Sequence, residues 1–143
     1  MTTALDLVSL LVSQDGDTYE FGHEVSPDDI NPAVFDCSEL VQWGCGRLKI
    51  KPEMPDGSWH QYRHCKKHCP PTSVERAILT PGTLLFRFVG DPETGGRPKE
   101  AHVAVSLGNG MTIEARSKKH GVGVFSAEGR GWTHAGQVPG LKY

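Results

Sequence analysis

The segment from residue 101 to residue 115 constrains the fold most, because it carries the strongest hairpin pattern in the chain. Two β-prone runs, at residues 101–107 and 111–115, flank the turn-forming sequence Gly108-Asn109-Gly110. Such runs separated by two or three residues rich in Gly and Asn are typical of antiparallel strands joined by a tight turn. The sequence therefore predicts a β-hairpin and, with it, an antiparallel sheet.

The length of the turn decides which face of the hairpin carries Glu114. With a three-residue loop over 108–110, Ala104 opposes Glu114, which then shares the face of His102 and can accept from its ring N–H. With a two-residue turn, Val105 opposes Glu114 and the carboxylate lies beside the apolar core. Because burying an unpaired charge is costly, we favour the longer loop.

Outside the hairpin, helices are predicted in the first half of the chain and strands in the second. Thr2 or Thr3 is the expected cap of the first helix, and Ser58 that of the third. This order predicts an α+β fold, with N-terminal helices packed on a small antiparallel sheet. A chain of 143 residues has the length of one domain, which we expect to span residues 1–143. The predicted helices are 4–13, 36–48, 58–68 and 73–78, and the further strands are 83–89 and 122–125.

One predicted helix carries a cysteine in its first turn. Asp36 is a favoured N-cap, and Glu39 can reach back to the backbone N–H of Asp36 in a reciprocal capping box. A thiol at Cys37 then faces unpaired N–H groups and the positive end of the helix dipole, which both favour thiolate. Cys37 is therefore a candidate nucleophile. On the helix start alone, a small buried structural cysteine is an equally good interpretation.

A thiolate nucleophile needs a base and usually a third group that orients the base. His102 is the candidate base, because strand alternation places it with Ala104 and Ser106 on a face of small side chains that a helix N-terminus can approach. Glu114 is the candidate third group. The alternative, of equal weight on spacing alone, is that His102 is a hydrogen-bonded core histidine and Glu114 a solubilising residue of an edge strand.

Composition argues against several function classes. Lys and Arg number 15 against 17 Asp and Glu, with no long run of one sign, so nothing indicates a nucleic-acid or lipid partner. The apolar run 4–12 contains Asp6 and lacks a basic leader, which predicts neither a signal peptide nor a membrane span. Phosphate-loop, dinucleotide and paired metal-carboxylate motifs are missing, so no cofactor is expected. The 4 cysteines are expected to be mostly free thiols.

A second cluster of candidate ligands lies in one predicted helix. Zinc binds His and Cys, but structural sites usually gather them from two separated pairs, and one straight helix cannot surround an ion. We therefore expect no metal, and a zinc-binding interaction domain is a minor alternative. The simpler interpretation leaves His64 and His68 in solvent and packs Cys65 and Cys69 on the first helix. The cluster consists of His60, His64, Cys65, His68 and Cys69.

Three separate motifs occur in an informative order: Phe35-Asp36-Cys37-Ser38 at a helix start, Pro81-Gly82-Thr83-Leu84-Leu85-Phe86, and the hairpin from His102 to Ala115. Together they resemble the NlpC/P60 family of papain-like peptidases over roughly residues 19–125. The resemblance implies a papain-like fold. It also implies that Cys37 is the nucleophile, His102 the base and Glu114 the residue that orients His102.

The resemblance further implies a substrate and two more site residues. Family members cleave short peptides of bacterial cell walls, typically next to D-glutamate, so the implied partner is a peptidoglycan peptide. Tyr19, within Tyr19-Glu20-Phe21-Gly22, matches a tyrosine beside the nucleophile, and Asp36 matches an acidic residue that faces the substrate's amine. Two positions depart from the family: Glu114 replaces the usual His, Asn or Gln, and Glu39 replaces the usual Gly.

The charged end of the hairpin, residues 114–122, looks most like phage-encoded versions of the domain, and the missing export signal agrees with that origin. This interpretation predicts a lysin or tail-associated enzyme that acts on the cell wall from outside the cell. The alternatives are a CHAP-like N-acetylmuramoyl-L-alanine amidase, which shares the Cys and His, and an inactive peptide-binding module of a phage tail.

Overall fold

The computed structural model describes residues 2–143 and shows the α+β architecture that the sequence predicts. The helices are α1 (Ala4–Val12), α2 (Cys37–Arg47), α3 (Ser58–His68) and α4 (Val74–Ile78). The strands are β1 (Thr18–Tyr19), β2 (Val34–Phe35), β3 (Leu84–Phe88), β4 (Ala101–Ser106), β5 (Met111–Ser117), β6 (Gly121–Ser126) and β7 (His134–Gly136). Within residues 2–143, no helix combines the length and apolar character needed to cross a membrane.

Five strands form one antiparallel sheet in the order β6-β5-β4-β3-β7. β1 and β2 form a separate parallel pair, which sets Tyr19 beside Phe35 directly before the start of α2. The sequence patterns predict β3 to β6 but not β1, β2 and β7. Strands of two or three residues are too short to show the alternation on which such a prediction depends.

The β4–β5 hairpin has the three-residue loop that the sequence predicts. Val105 pairs with Ile113, which is the register of a loop over residues 108–110. Glu114 therefore lies on the face of the hairpin that carries His102, and the two-residue turn is excluded. β5 is also an internal strand of the sheet, with β4 on one side and β6 on the other.

One face of the sheet packs against α1 and α2 and forms the main core. Its largest buried side chain is Trp43 of α2, whose ring meets that of Phe35 edge-on at a centroid distance of 5.4 Å. Gly44 allows α1 to approach closely, since a Cβ there would lie 2.7 Å from Cδ2 of Leu11. The core also contains Leu7, Leu40, Val41, Cys45, Leu84, Phe86, Val103 and Val105.

The other face of the sheet has a smaller apolar cover, made by α4 and the segment before β7. Leu85 of β3 is buried there with Ala77 and Ala127, and Trp132 packs against them. Leu85 pairs with Ala104, so this is also the face of His102 and Glu114. The apolar side chains of α2 belong to the opposite face, and the N-terminal end of this helix is the part that reaches His102.

Two helix starts test the predicted caps. At α1 the side chain of Thr3 accepts from the N–H of Asp6, and Asp6 accepts from the N–H of Thr3, so the predicted cap is confirmed. At α3 the prediction is wrong by one residue. Gly57, with φ of 88°, is the N-cap and Ser58 is the first helical residue. The left-handed backbone of Gly57 makes the reversal that leads the chain into α3.

Candidate active site

Cys37 is the first residue of α2, as predicted, and its half-buried side chain lines a cleft. Asp36 caps the helix, because its Oδ1 accepts from the N–H of Glu39 at 2.8 Å and from the hydroxyl of Ser38 at 3.3 Å. Its Oδ2 accepts from the N–H of Gly22 at 3.0 Å. The N–H groups of Cys37 and Ser38, at the very start of the helix, have no intrahelical acceptor, so they are available beside the thiol.

The second half of the predicted capping box is wrong, because the side chain of Glu39 turns away from Asp36. Its Oε2 accepts from the N–H of Val25 at 2.9 Å, and the carboxyl group hydrogen-bonds Asp56. Burial and the bond to Asp56 raise the pKa of Glu39 to about 8 against the opposing effect of Val25. The Glu39 carboxyl group is therefore mostly protonated at neutral pH, and its bond to Asp56 ties the first turn of α2 to the segment before α3.

His102 is the second residue of β4 and is 8% exposed. Its Nε2 lies 2.9 Å from Oε1 of Glu114, which leaves Nδ1 available to interact with Cys37. Burial disfavours a charged ring, but the hydrogen bonds and negative charges of Cys37 and Glu114 outweigh it and raise the pKa of His102 to about 9. The imidazolium is therefore the favoured form at neutral pH.

Glu114 is fully buried, and its carboxylate has partners on both oxygens. Arg130 donates from Nη2 to Oε1 at 2.6 Å and from Nη1 to Oε2 at 3.3 Å, and the hydroxyl of Thr112 donates to Oε2. Burial acts to raise the pKa of Glu114, but the bonds from His102, Arg130 and Thr112 outweigh it and hold this pKa at about 2. Glu114 is thus ionised, and it is not the solubilising edge residue of the alternative interpretation.

Arg130 and Trp132 complete this arrangement, and neither was assigned to the site from the sequence. The guanidinium carbon of Arg130 lies 5.0 Å from the ring centroid of Trp132. The ring of Trp132 in turn stacks on that of His102, with centroids 6.0 Å apart and an interplanar angle of 23°. The predicted position of Glu114 could have indicated that a cation lies nearby, because a buried carboxylate beside a single histidine requires a further positive charge.

The thiol opens onto a cleft of about 210 Å³ that also contains the two predicted substrate-binding residues. Burial, and then the negative charges of Cys37 and Asp36, raise the pKa of Tyr19 to about 12, so its phenol is a neutral donor. Asp36 lines the cleft as well, although its oxygens already accept three hydrogen bonds. The structure thus brings the other four predicted site residues into the neighbourhood of the Cys37 thiol.

A larger cavity of about 630 Å³ lies beside the cleft, on the other side of Asp56. The loop before β2, the polar side of α2 and the segment before α3 form its walls. Glu39 lines this larger cavity and not the cleft. The departure from the family pattern at position 39 therefore places a carboxyl group behind the nucleophile and not in its immediate surroundings.

The His60 to Cys69 cluster does not converge on one point. Within the part of the chain that the structure describes, no group of three or more His, Cys, Asp or Glu side chains is placed to hold a metal ion. Cys65 is buried against β7, where a Cβ on Gly136 would lie 2.6 Å from its own Cβ, and not against α1 as predicted. His64 is half-buried against His68, with ring centroids 4.8 Å apart, so its expected solvent position is also wrong. All four cysteines are free thiols.

Comparisons with known proteins identify the family and the fold. The model of the NlpC/P60 family matches residues 16–137. The NlpC/p60 domain of the peptidoglycan hydrolase SagA is similar at a TM-score of 0.70 and 23% identity, over 96% of this chain and 100% of that one. The peptidoglycan hydrolase RipB from Mycobacterium tuberculosis gives a TM-score of 0.67 and 26% identity, over 98% and 65%.

A third similar structure, NlpC2 from Trichomonas vaginalis, gives a TM-score of 0.69 and 23% identity over 92% of this chain. This chain spans only 44% of the length of NlpC2, whereas it covers the SagA domain completely. No curated protein matches the sequence significantly.

Proposed function

Because the chain belongs to the NlpC/P60 family, we propose that it is a cell-wall hydrolase, a cysteine peptidase that cleaves peptide bonds of bacterial peptidoglycan. The observation that carries this proposal is the grouping of three side chains: the Cys37 thiol at the start of α2 facing a cleft, His102 close enough for Cys37 to raise its pKa, and Glu114 with Oε1 2.9 Å from Nε2 of His102. Two of the similar structures, SagA and RipB, are peptidoglycan hydrolases by name, which supports the choice of substrate.

In the proposed reaction, Cys37 is the nucleophile and His102 the general base. His102 takes the thiol proton, the thiolate attacks the scissile carbonyl, and His102 returns the proton to the leaving amine. Water then hydrolyses the thioester. N–H groups at the start of α2, including that of Cys37, stabilise the oxyanion. Glu114 orients the ring of His102 and stabilises its charged form.

The proposed substrate is a short stem peptide that is cut next to D-glutamate. The thiol faces a cleft and not a flat surface, which supports a short, extended peptide as the substrate. Tyr19 is proposed to hydrogen-bond the peptide and Asp36 to face its amine. The phage-encoded origin, the action on the wall from outside the cell and the single domain over residues 1–143 stay predictions.

The test is digestion of purified peptidoglycan followed by identification of the new amino termini. An endopeptidase that cuts next to D-glutamate exposes the amine of the third stem residue. A CHAP-like amidase instead exposes the amine of the first L-alanine. We expect only the former product, together with its loss in Cys37→Ala and in His102→Ala.

Two controls keep this test specific. Cys69→Ala removes a half-buried thiol outside the site and should leave the product yield within about twofold. Binding of soluble fragments without turnover, with Cys37 unreactive, would contradict the peptidase proposal and identify the chain as a peptide-binding module.

A further inference from the structure

The loop between β3 and β4 is fixed onto α3 by two long side chains. Arg63 donates to the carbonyl of Pro92 at 2.6 Å and to that of Gly95 at 3.1 Å. Lys66 forms an ion pair with Glu93 at 2.6 Å. These three contacts from α3 fix the course of the loop. They therefore also fix the position of the loop residue that reaches the cleft.

That residue is Arg97, whose solvent-exposed side chain lines the same cleft as Cys37. The guanidinium carbon lies 4.7 Å from the ring centroid of Phe21 and 5.9 Å from that of Trp59. Stacking of this kind uses the face of the guanidinium and leaves its in-plane N–H donors for another acceptor. Among residues 2–143, Arg97 forms no ion pair.

Arg97 is also the only basic residue among the described residues that line the cleft. The acidic residues there are Asp36 and Asp56, and each already has partners, in the cap of α2 and in the bond to Glu39. The cleft wall therefore presents one charged group whose donors are unused, at the place where a peptide must lie to reach Cys37.

We propose that Arg97 binds a free carboxylate that the substrate carries next to the scissile bond. A guanidinium packed against two aromatic rings offers a planar fork of donors, which matches the two oxygens of a carboxylate and not the single oxygen of a carboxamide. This inference rests on the proposed peptidase function. It adds that the enzyme selects stem peptides whose glutamate carboxyl group is free over those in which it is amidated.

The test compares L-Ala-γ-D-Glu-L-Lys with the same peptide bearing a carboxamide on the α-carbon of its second residue. The wild-type protein should cleave the acid with a kcat/KM about tenfold or more above that of the amide. Arg97→Gln should remove this preference by lowering kcat/KM for the acid alone, and Arg97→Lys should keep part of it. Arg116→Gln is the matched control, because Arg116 stacks on Phe125 at 4.9 Å in the same way but does not line the cleft.

A binding measurement separates failure of this inference from failure of the proposed function. Cys37→Ala, with and without Arg97→Gln, is titrated with both peptides by calorimetry. Tighter binding of the acid that depends on Arg97 supports the inference even if neither peptide is hydrolysed, a result that would count against the proposed reaction. Equal affinity for acid and amide, or a preference that survives Arg97→Gln, overturns the inference whether or not hydrolysis occurs.

Discussion

Among single residues, Glu114 distinguishes this site, because a carboxylate stands where the family usually has His, Asn or Gln. An amide there would orient His102 without adding charge, whereas Glu114 also helps raise the pKa of His102 to about 9. The cost of burying that charge is offset by Arg130 and the hydroxyl of Thr112. Glu114 and Arg130 therefore stabilise each other, and substitution of either one alone leaves the other without its charged partner.

The first prediction concerns pH dependence in Glu114→Gln. This variant keeps an acceptor for the ring N–H but removes the negative charge, so the pKa of His102 falls from about 9 toward its ordinary value. Because the reactive ion pair needs His102 protonated, the alkaline limb of kcat/KM moves to lower pH. Measurement of kcat/KM from pH 5 to pH 10 checks this prediction, and an alkaline limb that stays in place contradicts it.

A second prediction uses a double-mutant cycle on Arg130. Arg130→Met leaves the fully buried Glu114 carboxylate without its cation and should cost about 3 kcal/mol of unfolding free energy. In the Glu114→Gln background the same substitution should cost about 1 kcal/mol or less. Urea denaturation of the four proteins measures the coupling. Arg116→Met, which removes an arginine without a carboxylate partner, is the control. If the losses of unfolding free energy from Arg130→Met and Glu114→Gln are simply additive, the two residues are not coupled.

Among the elements, the start of α2 depends on the carboxyl pair of Glu39 and Asp56. The pKa of Glu39 is about 8 in the folded protein against 4.5 for the free group. A folded-state pKa above the unfolded value means that the unfolded chain releases this proton first. The contribution of Glu39 to stability is therefore complete below about pH 4.5 and declines as pH rises to about 8.

The third prediction follows from this decline of stability with rising pH. Glu39→Gln keeps a neutral side chain that can accept from Val25 and donate to Asp56 at every pH. Relative to the wild type, the variant should gain at least about 1 kcal/mol of unfolding free energy between pH 5 and pH 8. Chemical denaturation at the two pH values measures it. Glu53→Gln, an exposed carboxyl group beside the same cavity, should give no such gain.

The β4–β5 hairpin gives a prediction with an internal control. Gly108 and Gly110 both have φ of 84°, which other residues adopt at a cost of about 1 kcal/mol. A Cβ at Gly108 would also lie 2.6 Å from Cδ of Pro81 and 2.9 Å from its backbone nitrogen, whereas one at Gly110 meets nothing within 4 Å. Gly108→Ala should therefore destabilise the protein clearly more than Gly110→Ala in urea denaturation, and equal losses would contradict this loop geometry.

Across the whole molecule, the features that depend on neighbouring residues could be predicted from the sequence. The features that depend on contacts between distant parts of the chain could not. The start of α2 and the three-residue loop depend on neighbours in the chain, so Cys37, His102 and Glu114 could be proposed as candidates from the sequence, and the family resemblance favoured their catalytic roles. Arg130, Trp132 and Arg97 come from irregular segments whose course is set by contacts far along the chain, such as that of Arg63 with Pro92. The second partner of Glu39 was missed for the same reason, since Asp56 approaches it only in the folded chain.

The most direct test of the account is the rate at which iodoacetamide alkylates Cys37 as a function of pH. Cys45 and Cys65 are buried, with the pKa of each thiol raised, and half-buried Cys69 is the reference thiol in the same peptide maps. If the pair with His102 exists, Cys37 is labelled selectively at about pH 6.5, well below the range of ordinary thiols near about 8.5, and His102→Ala abolishes this labelling. Labelling of Cys37 that follows Cys69 and is indifferent to His102→Ala would contradict the peptidase account.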